Sequence, residues 1–276
     1  MSDTAVSVSD TEGFRGIFQK GKNLVQFFEV MSNQEKPIVA DTLIISDTHL
    51  GSEVCRAREL LKILTSCRFN RLVLNGDIFD DLNFERLNRL HWDVVSYIRH
   101  LSNPERGIEV VWVRGNHDHA LINVMPNLLG IDAFSEYEWE YNGEKYFALH
   151  GDQFDNFLYG HKFISFIATI FYDLVQKIDS RDMRFSRFIK RRSKKWLRLS
   201  KNVANGAMHY AKLRKAQYVF CGHTHQAMKK EMDGVKYYNS GCWTDIPSHF
   251  ITVGEDGVKI HVCDRVETEK ITFAKI

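Results

Sequence analysis

The sequence has little that would carry the chain out of a cell or staple it shut. Its five cysteines, Cys55, Cys67, Cys221, Cys242 and Cys263, are odd in number, widely spaced and without a C-x-x-C pair. That argues against a disulfide framework and for a reducing compartment, with the thiols acting as small buried hydrophobes. The opening stretch MSDTAVSVSDTEGF is polar and acidic, with no apolar core behind a basic start, so no secretory signal is expected. The longest apolar run, FISFIATIFYDLV, carries Tyr172 and Asp173 and is too short to span a bilayer. An excess of one charge is also missing: the formal net charge is +2 over 276 residues, so any basic character has to be local. A hydrophobic fraction of 44% and a charged fraction of 26% exclude disordered and collagen-like classes and suit one large α/β unit. The expected location is the cytoplasm, where the chain could also lie on the inner face of a membrane.

What is present is a rhythm. DTLIISD, RLVLNGD, IEVVWVRGNHD, KYFALHGD and AQYVFCGHTH are short β-branched or aromatic runs, each ending in a polar cluster. Helical patterns fill 53–66 and 84–101, so strands alternate with helices, and strands apolar throughout imply a sheet covered on both faces. GVKYYNSGCW, HFITVG and GVKIHVCD read as further strands, in a second sheet or an extension of the first. Residues 1–38 read as a tail followed by an amphipathic helix, with Phe14, Ile17, Phe18, Leu24, Val25, Phe27 and Phe28 as its apolar positions. The core is expected over 39–152 and 216–276. Between them, 153–215 is helical in periodicity and has no strand of its own.

In sheets of this kind, function collects at the carboxyl ends of the strands. Those ends carry Asp47, His49, Asp77, Asn116, His150, His223 and His225. Two carboxylates, one amide oxygen and four imidazoles suit Mn, Fe, Zn or Co rather than an all-oxygen calcium cage. They are too many for one ion with room left for substrate, and two ions sharing Asp77 use them well. Glycines beside Asp77, Asn116, Asp152 and His223 are expected to allow the tight turns that aim these side chains. His117, next to Asn116, is placed facing substrate, as a donor to a phosphate oxygen or an acid to the leaving group. Asp118 is expected to orient its ring. Asp80 and Asp152 read as outer carboxylates or as turn caps. Arg114, Asn239 and Trp243 lie close in sequence to these loops and are candidate substrate contacts.

The order D-x-H, GD, GNHD, HGD, GHTH resembles the calcineurin-type metallophosphoesterase superfamily over roughly 41–262. The resemblance implies a two-sheet β-sandwich flanked by helices, an αββα arrangement. It also implies one ion on Asp47, His49, Asp77 and His225, another on Asp77, Asn116, His150 and His223, and His117 as the phosphate-facing histidine. Manganese is the expected metal. GDIFDDL lacks the arginine of the protein phosphatase motif GDxxDRG.

The insertion 153–215 bears on substrate. Its hydrophobic run leads into 176–201, which holds eleven Lys or Arg against Asp179 and Asp182, interleaved with Phe185, Phe188, Trp196 and Leu197. Such a segment suits an anionic membrane surface or a substrate with acyl chains and phosphates. Nucleic acid is a rival partner. SDTHLGS, GDIFD, GNHD, LHGDQFD, CGHTH and YYNSGCW together resemble the UDP-2,3-diacylglucosamine pyrophosphatases and their GNHD-bearing relatives, in which a helical insertion caps the acyl chains. Pyrophosphatases of that group carry arginine where this chain has His117. The resemblance implies hydrolysis of UDP-2,3-diacylglucosamine to UMP and 2,3-diacylglucosamine 1-phosphate. Other phospholipid, nucleotide or nucleic-acid esters are the alternative, and a non-catalytic scaffold would be expected to have lost ligands, of which none is missing.

Overall fold

The computed structural model describes residues 37–155 and 194–264. The amphipathic pattern at Phe14–Phe28, the hydrophobic run of the insertion and residues 176–193 of its basic stretch lie outside the described residues.

The first half of the chain alternates strand and helix. It runs through β1 (Ile38–Val39), β2 (Thr42–Ile45), α1 (Ala57–Ser66), β3 (Cys67–Arg68), β4 (Arg71–Asn75), α2 (Arg89–Leu101), β5 (Glu109–Val113), α3 (Met125–Leu129) and β6 (Asp132–Phe134). Strands β7 (Glu136–Tyr141) and β8 (Glu144–Leu149) follow as a hairpin. After α4 (Lys194–Leu213) come β9 (Tyr218–Cys221), β10 (Met228–Met232), β11 (Val235–Asn239), β12 (Ser248–Gly254) and β13 (Gly257–Cys263). These build a six-stranded sheet in the order β13-β12-β2-β4-β5-β6, a five-stranded sheet in the order β10-β11-β9-β8-β7, and the small parallel pair β1-β3. The C-terminal strands divide between the two: β11 joins the second sheet beside β9, and β12 extends the first antiparallel to β2, with β13 antiparallel to β12 at its edge.

Side-chain alternation explains why the two sheets stack. Along β2, Leu43 and Ile45 face the helices, and Ile44 faces the other sheet; Leu72 and Leu74 of β4 flank Val73 in the same way. On the second sheet Tyr146, Ala148, Tyr218, Phe220 and Tyr238 face inward, and Phe147, Leu149, Val219, Cys221 and Tyr237 face outward. The inner layer is an aromatic stack, with Trp139 and Phe220 at 5.6 Å and Tyr146 and Tyr218 at 4.6 Å between ring centroids. A strand apolar on both faces has to be covered on both, and three cores do this: helix on sheet, sheet on sheet, and sheet on helix.

Helices α1 and α2 cover the six-stranded sheet with Leu60, Leu61, Leu64, Val94, Ile98 and Leu101, spaced to keep one face apolar. Asn88 starts α2 with a capping box: its side chain accepts from His91 N, and its own amide donates to His91 Nδ1. On the far side α4 buries Val203, Ala204, Ala207, Met208 and Ala211, and its alanines let it lie close against β9 and β11. This helix is a layer of the sandwich, although periodicity alone assigns 194–213 to the cap insertion. All five cysteines are free and four are buried. Among the described residues no helix is long and apolar enough to cross a membrane.

Phe220 is fully buried at the centre of the inner layer, where it touches aromatic neighbours on three strands. Phe220→Ala should cost about 3–5 kcal/mol of unfolding free energy in urea titrations with an unchanged slope.

Candidate metal centre

Strands β2, β4 and β5 of one sheet and β8 and β9 of the other bring their carboxyl ends together. The loops bond to one another there: Asp47 N donates to Gly76 O (3.0 Å), His49 N to Asp77 O (3.0 Å), Gly222 N to His150 O (3.0 Å), and Trp243 N to Asp47 O (2.9 Å). The backbone frame of the site is thus complete before any side chain is considered.

Within this frame the side chains of the five motifs converge. Two groups have donor atoms all within 4.8 Å of one another: Asp47, His49 and His225, and Asp47, Asp77 and His150. His225 Nε2 lies 3.3 Å from Asp47 Oδ1 and His49 Nε2 lies 3.1 Å from His225 Nε2. Asn116 joins through Oδ1, 3.0 Å from His223 Nδ1. A third group, His49, Asp80 and His117, borders the first. Two imidazoles have one ring nitrogen engaged by an acceptor, His150 Nδ1 by Asn75 O (3.0 Å) and His223 Nε2 by Asp155 Oδ2 (3.1 Å), and His49 Nδ1 lies in ion-pair contact 3.2 Å from Asp80 Oδ1 without a hydrogen bond. Outer partners of this kind fix the tautomer and turn the other nitrogen inward.

The backbone is bent to the same end. Among the described residues eight non-glycine positions have positive φ, and five of them are Asp47, His49, Asp77, His223 and His225. Each costs on the order of 1–3 kcal/mol, a strain typical of functional sites. The glycines act in a way that the turn reading did not anticipate. Gly115 and Gly222 do not have positive φ; they are needed because a methyl group at Gly115 would overlap Asp77 Oδ1, and one at Gly222 would overlap Asp47 Oδ2. Gly76 combines both reasons, with φ +84 and the His150 ring against its Cα.

Burial sets the electrostatics. Asp47 and Asp77 are 0% and 2% exposed, and His150 is 1% exposed. Burial pushes the Asp77 carboxyl up, but the charges of His150, His117 and His49 overcome it and hold it well below its ordinary value. For Asp47, too, burial opposes ionisation, and His225 and His150 outweigh it. Burial would lower His150, but Asp77 and Asp47 lift it well above the usual imidazole range, and Asp80 and Asp77 raise His49. The site fits divalent cations on this structure's own terms. His150 Nε2 is buried without a hydrogen bond although it lies 3.2 Å from Asp77 Oδ2, and the attraction that offsets the buried carboxylates comes from histidines. Asp47, His49, Asp77, Asn116, His150, His223 and His225 could hold such ions.

The structure places Asp118, Asn239 and Trp243 elsewhere than expected. Asp118 does not orient His117: it is buried, its oxygens accept from Gly115 N (2.8 Å) and Ile78 N (2.7 Å), and burial with the nearby Asp77 raises its carboxyl. His117 is instead held by Asp80, whose backbone oxygen accepts from Nδ1 at 2.7 Å. Asn239 is fully buried, and its amide ties Gly222 O (2.6 Å) and Thr224 Oγ1 (3.2 Å), so it shapes the histidine loop rather than touching substrate. Trp243 is fully buried in the core beneath α1. Arg114 is exposed and donates to Ser135 Oγ (3.0 Å). Asp155 was missed; its signal was a second carboxylate behind HGD, in LHGDQFD.

The model of the calcineurin-like phosphoesterase family matches residues 41–227, and the chain belongs to that family. Members of the family use divalent metals, and the metal-ligand clusters described above suit this chemistry. The chain matches no curated protein significantly. Among solved structures it is similar to an archaeal phosphodiesterase, at 14% identity over 80% of this chain and 98% of that one, with a TM-score of 0.44. Vps29 of Cryptosporidium parvum is similar at 15% identity over 81% and 96%, with a TM-score of 0.42. Vps29 of Entamoeba histolytica, complexed with Zn, is similar at 16% identity over 81% and 98%, with a TM-score of 0.40.

Two outcomes follow from the geometry. Gly115→Ala would meet the Asp77 backbone nitrogen as well as its carboxylate, so it should shift the Asp77 loop, weaken ion binding about 10–100-fold and lower the melting temperature, as read by metal titration and circular dichroism. With His150 raised, an entering ion must displace its proton, so affinity should fall steadily as the pH is lowered. Calorimetry in two buffers of different ionisation enthalpy should then show net proton release.

Proposed function

We propose that this phosphoesterase hydrolyses a phosphodiester or pyrophosphate with two divalent ions. Asp47, His49, Asp77 and His225 would hold one, and Asp77, Asn116, His150 and His223 the other. The observation that supports this most is the buried Asp47–Asp77–His150 group with the exposed His117 beside it, whose amide donates to Asp77 Oδ1 at 2.9 Å. When bound, two such ions supply positive charge for phosphate oxygens and acidify water. Manganese fits the mixed nitrogen and oxygen donors, as would Fe, Zn or Co.

The remaining steps fall to the chain's own groups. His117 gives Nδ1–H to Asp80 O, which fixes its ring and leaves Nε2 for the substrate. As an imidazolium the ring would also carry Nε2–H, to donate to a phosphate oxygen or to pass to the leaving oxygen, which leaves the neutral Nδ1–H tautomer on Asp80 O. Asp80 also engages His49 and accepts from Arg86 NH1 (2.9 Å), so one residue holds a candidate metal ligand and the substrate-facing histidine in register.

For the substrate itself, the reading is UDP-2,3-diacylglucosamine, cleaved to UMP and 2,3-diacylglucosamine 1-phosphate in the lipid A pathway. Its support is sequence: SDTHLGS, LHGDQFD and YYNSGCW beside the five motifs, and a hydrophobic then basic insertion. Residues 176–201 would meet the anionic inner face of a membrane, with the enzyme peripheral on its cytoplasmic side. The test is manganese-dependent release of UMP from that lipid, with bis-p-nitrophenyl phosphate run beside it. UMP release that is lost in Asp77→Ala supports the lipid substrate. Turnover of the generic diester alone keeps the chemistry and rejects the lipid in favour of another phospholipid, nucleotide or nucleic-acid ester. Turnover of neither with Mn, Co or Zn would leave a binding scaffold. His117→Ala should lower kcat about 10²–10⁴-fold with metal content unchanged.

A further inference from the structure

Asp155 belongs to none of the five motifs, yet it is 2% exposed and reaches the cluster. Its Oδ2 lies 3.1 Å from His223 Nε2, and the opposite ring nitrogen, Nδ1, lies 3.0 Å from Asn116 Oδ1. The His223 backbone is already fixed, since its amide donates to both Asp47 oxygens at 3.0 and 3.1 Å with φ at 64°. What that backbone leaves open is the rotation of the ring. We infer that Asp155 is a positioning residue: it takes the Nε2 proton of His223, selects that tautomer, and holds Nδ1 toward Asn116 and the second ion. The inference rests on the two-ion reading above and adds to it a residue that acts through one ion alone.

Asp155 is placed firmly enough for this role. It closes a 3-10 turn (Asp152–Phe154) in which Phe154 N donates to Gly151 O (3.1 Å) and Asp155 N to Asp152 O (3.0 Å). Phe154 anchors the turn: its ring fills the space that a side chain at Gly206 of α4 would need, and it lies 6.2 Å from the Tyr210 ring. The carboxylate therefore hangs from the outer helix layer rather than from either sheet. Asp80 is its counterpart on the other side, where it engages His49, while His150 relies on the weaker backbone acceptor Asn75 O. One ligand histidine of each proposed ion thus leans on a carboxylate, a partner that raises imidazole basicity as well as orienting the ring.

The test is equilibrium binding in the full chain, not turnover. Wild type, Asp155→Asn and Asp155→Ala are stripped of metal and titrated with Mn by calorimetry and with Co by its visible absorption. Wild type should take up two ions. Asp155→Ala should weaken one of them about 10–100-fold, leave the other unchanged, and alter the Co spectrum of the weakened site only. Asp155→Asn, nearly isosteric and still able to accept from Nε2, should lose less, and it keeps the question open to an answer if the alanine variant fails to fold. Wild-type affinity for both ions in both variants would overturn the inference, and so would an equal loss at the two ions, which marks a general charge effect. A wild-type chain that binds no ion would overturn the two-ion reading itself, an outcome separate from any difference between variants.

Discussion

Two carboxylates, Asp47 and Asp77, are shut away from water at the ends of neighbouring parallel strands, and the rest of the molecule is arranged around the cost of keeping them there. An ion of that size in a dry interior is penalised by several kcal/mol unless charge and hydrogen bonds return what water supplied. Here the return comes from five places at once. His150 arrives from the opposite sheet, the His223 amide and the His225 ring from the loop after the strand beside it, His117 N from the neighbouring loop (2.9 Å to Asp77 Oδ1), and Ser46 Oγ from the preceding residue in the chain. His150, His223 and His225 could not arrive unless the two sheets were stacked face to face. The aromatic layer of Trp139, Tyr146, Tyr218 and Phe220 therefore does more than fill space: it sets the distance at which one sheet can answer the charges of the other.

That demand also explains where the backbone is uncomfortable. Left-handed conformations at five ligand positions oppose folding, and a sandwich with three apolar cores is what can hold them. The discomfort is local. In β2, β4, β8 and β9 the chain is ordinary until its last residue, and the departure begins one or two residues later. Regular strands deliver the side chains, and irregular ends aim them.

Much of this was legible in the sequence, because buried strands and strand-end polar clusters are one-dimensional signals. The five runs from DTLIISD to AQYVFCGHTH correspond to β2, β4, β5, β8 and β9, and the apolar spacing at Leu60, Leu61 and Leu64 gives α1. Strand β7 was not legible: in EYEWEY, glutamates alternate with aromatics, and only the structure shows Trp139 buried and Tyr137 and Tyr141 packed against the inner layer. Side-chain direction was the larger gap. Asn239 and Trp243 are close in sequence to the histidine loop but point into the protein, Asp118 points at two amides rather than at its neighbour's ring, and Asp155 points back from beyond a turn. A carboxylate in a loop reads the same whether it caps an amide or steadies an imidazole; only the fold decides which.

The glycines make the five motifs hostage to one another. Gly76 of the second leaves room for His150 of the fourth, Gly115 of the third for Asp77 of the second, and Gly222 of the fifth for Asp47 of the first. A side chain gained at any of these positions is felt by a different motif from the one that changed. Such a site offers no gradual route by which one loop could be rebuilt for new chemistry while its neighbours stay as they are. Innovation in this architecture is steered outward, to the segments hung on the frame, and the centre can only be inherited whole or abandoned.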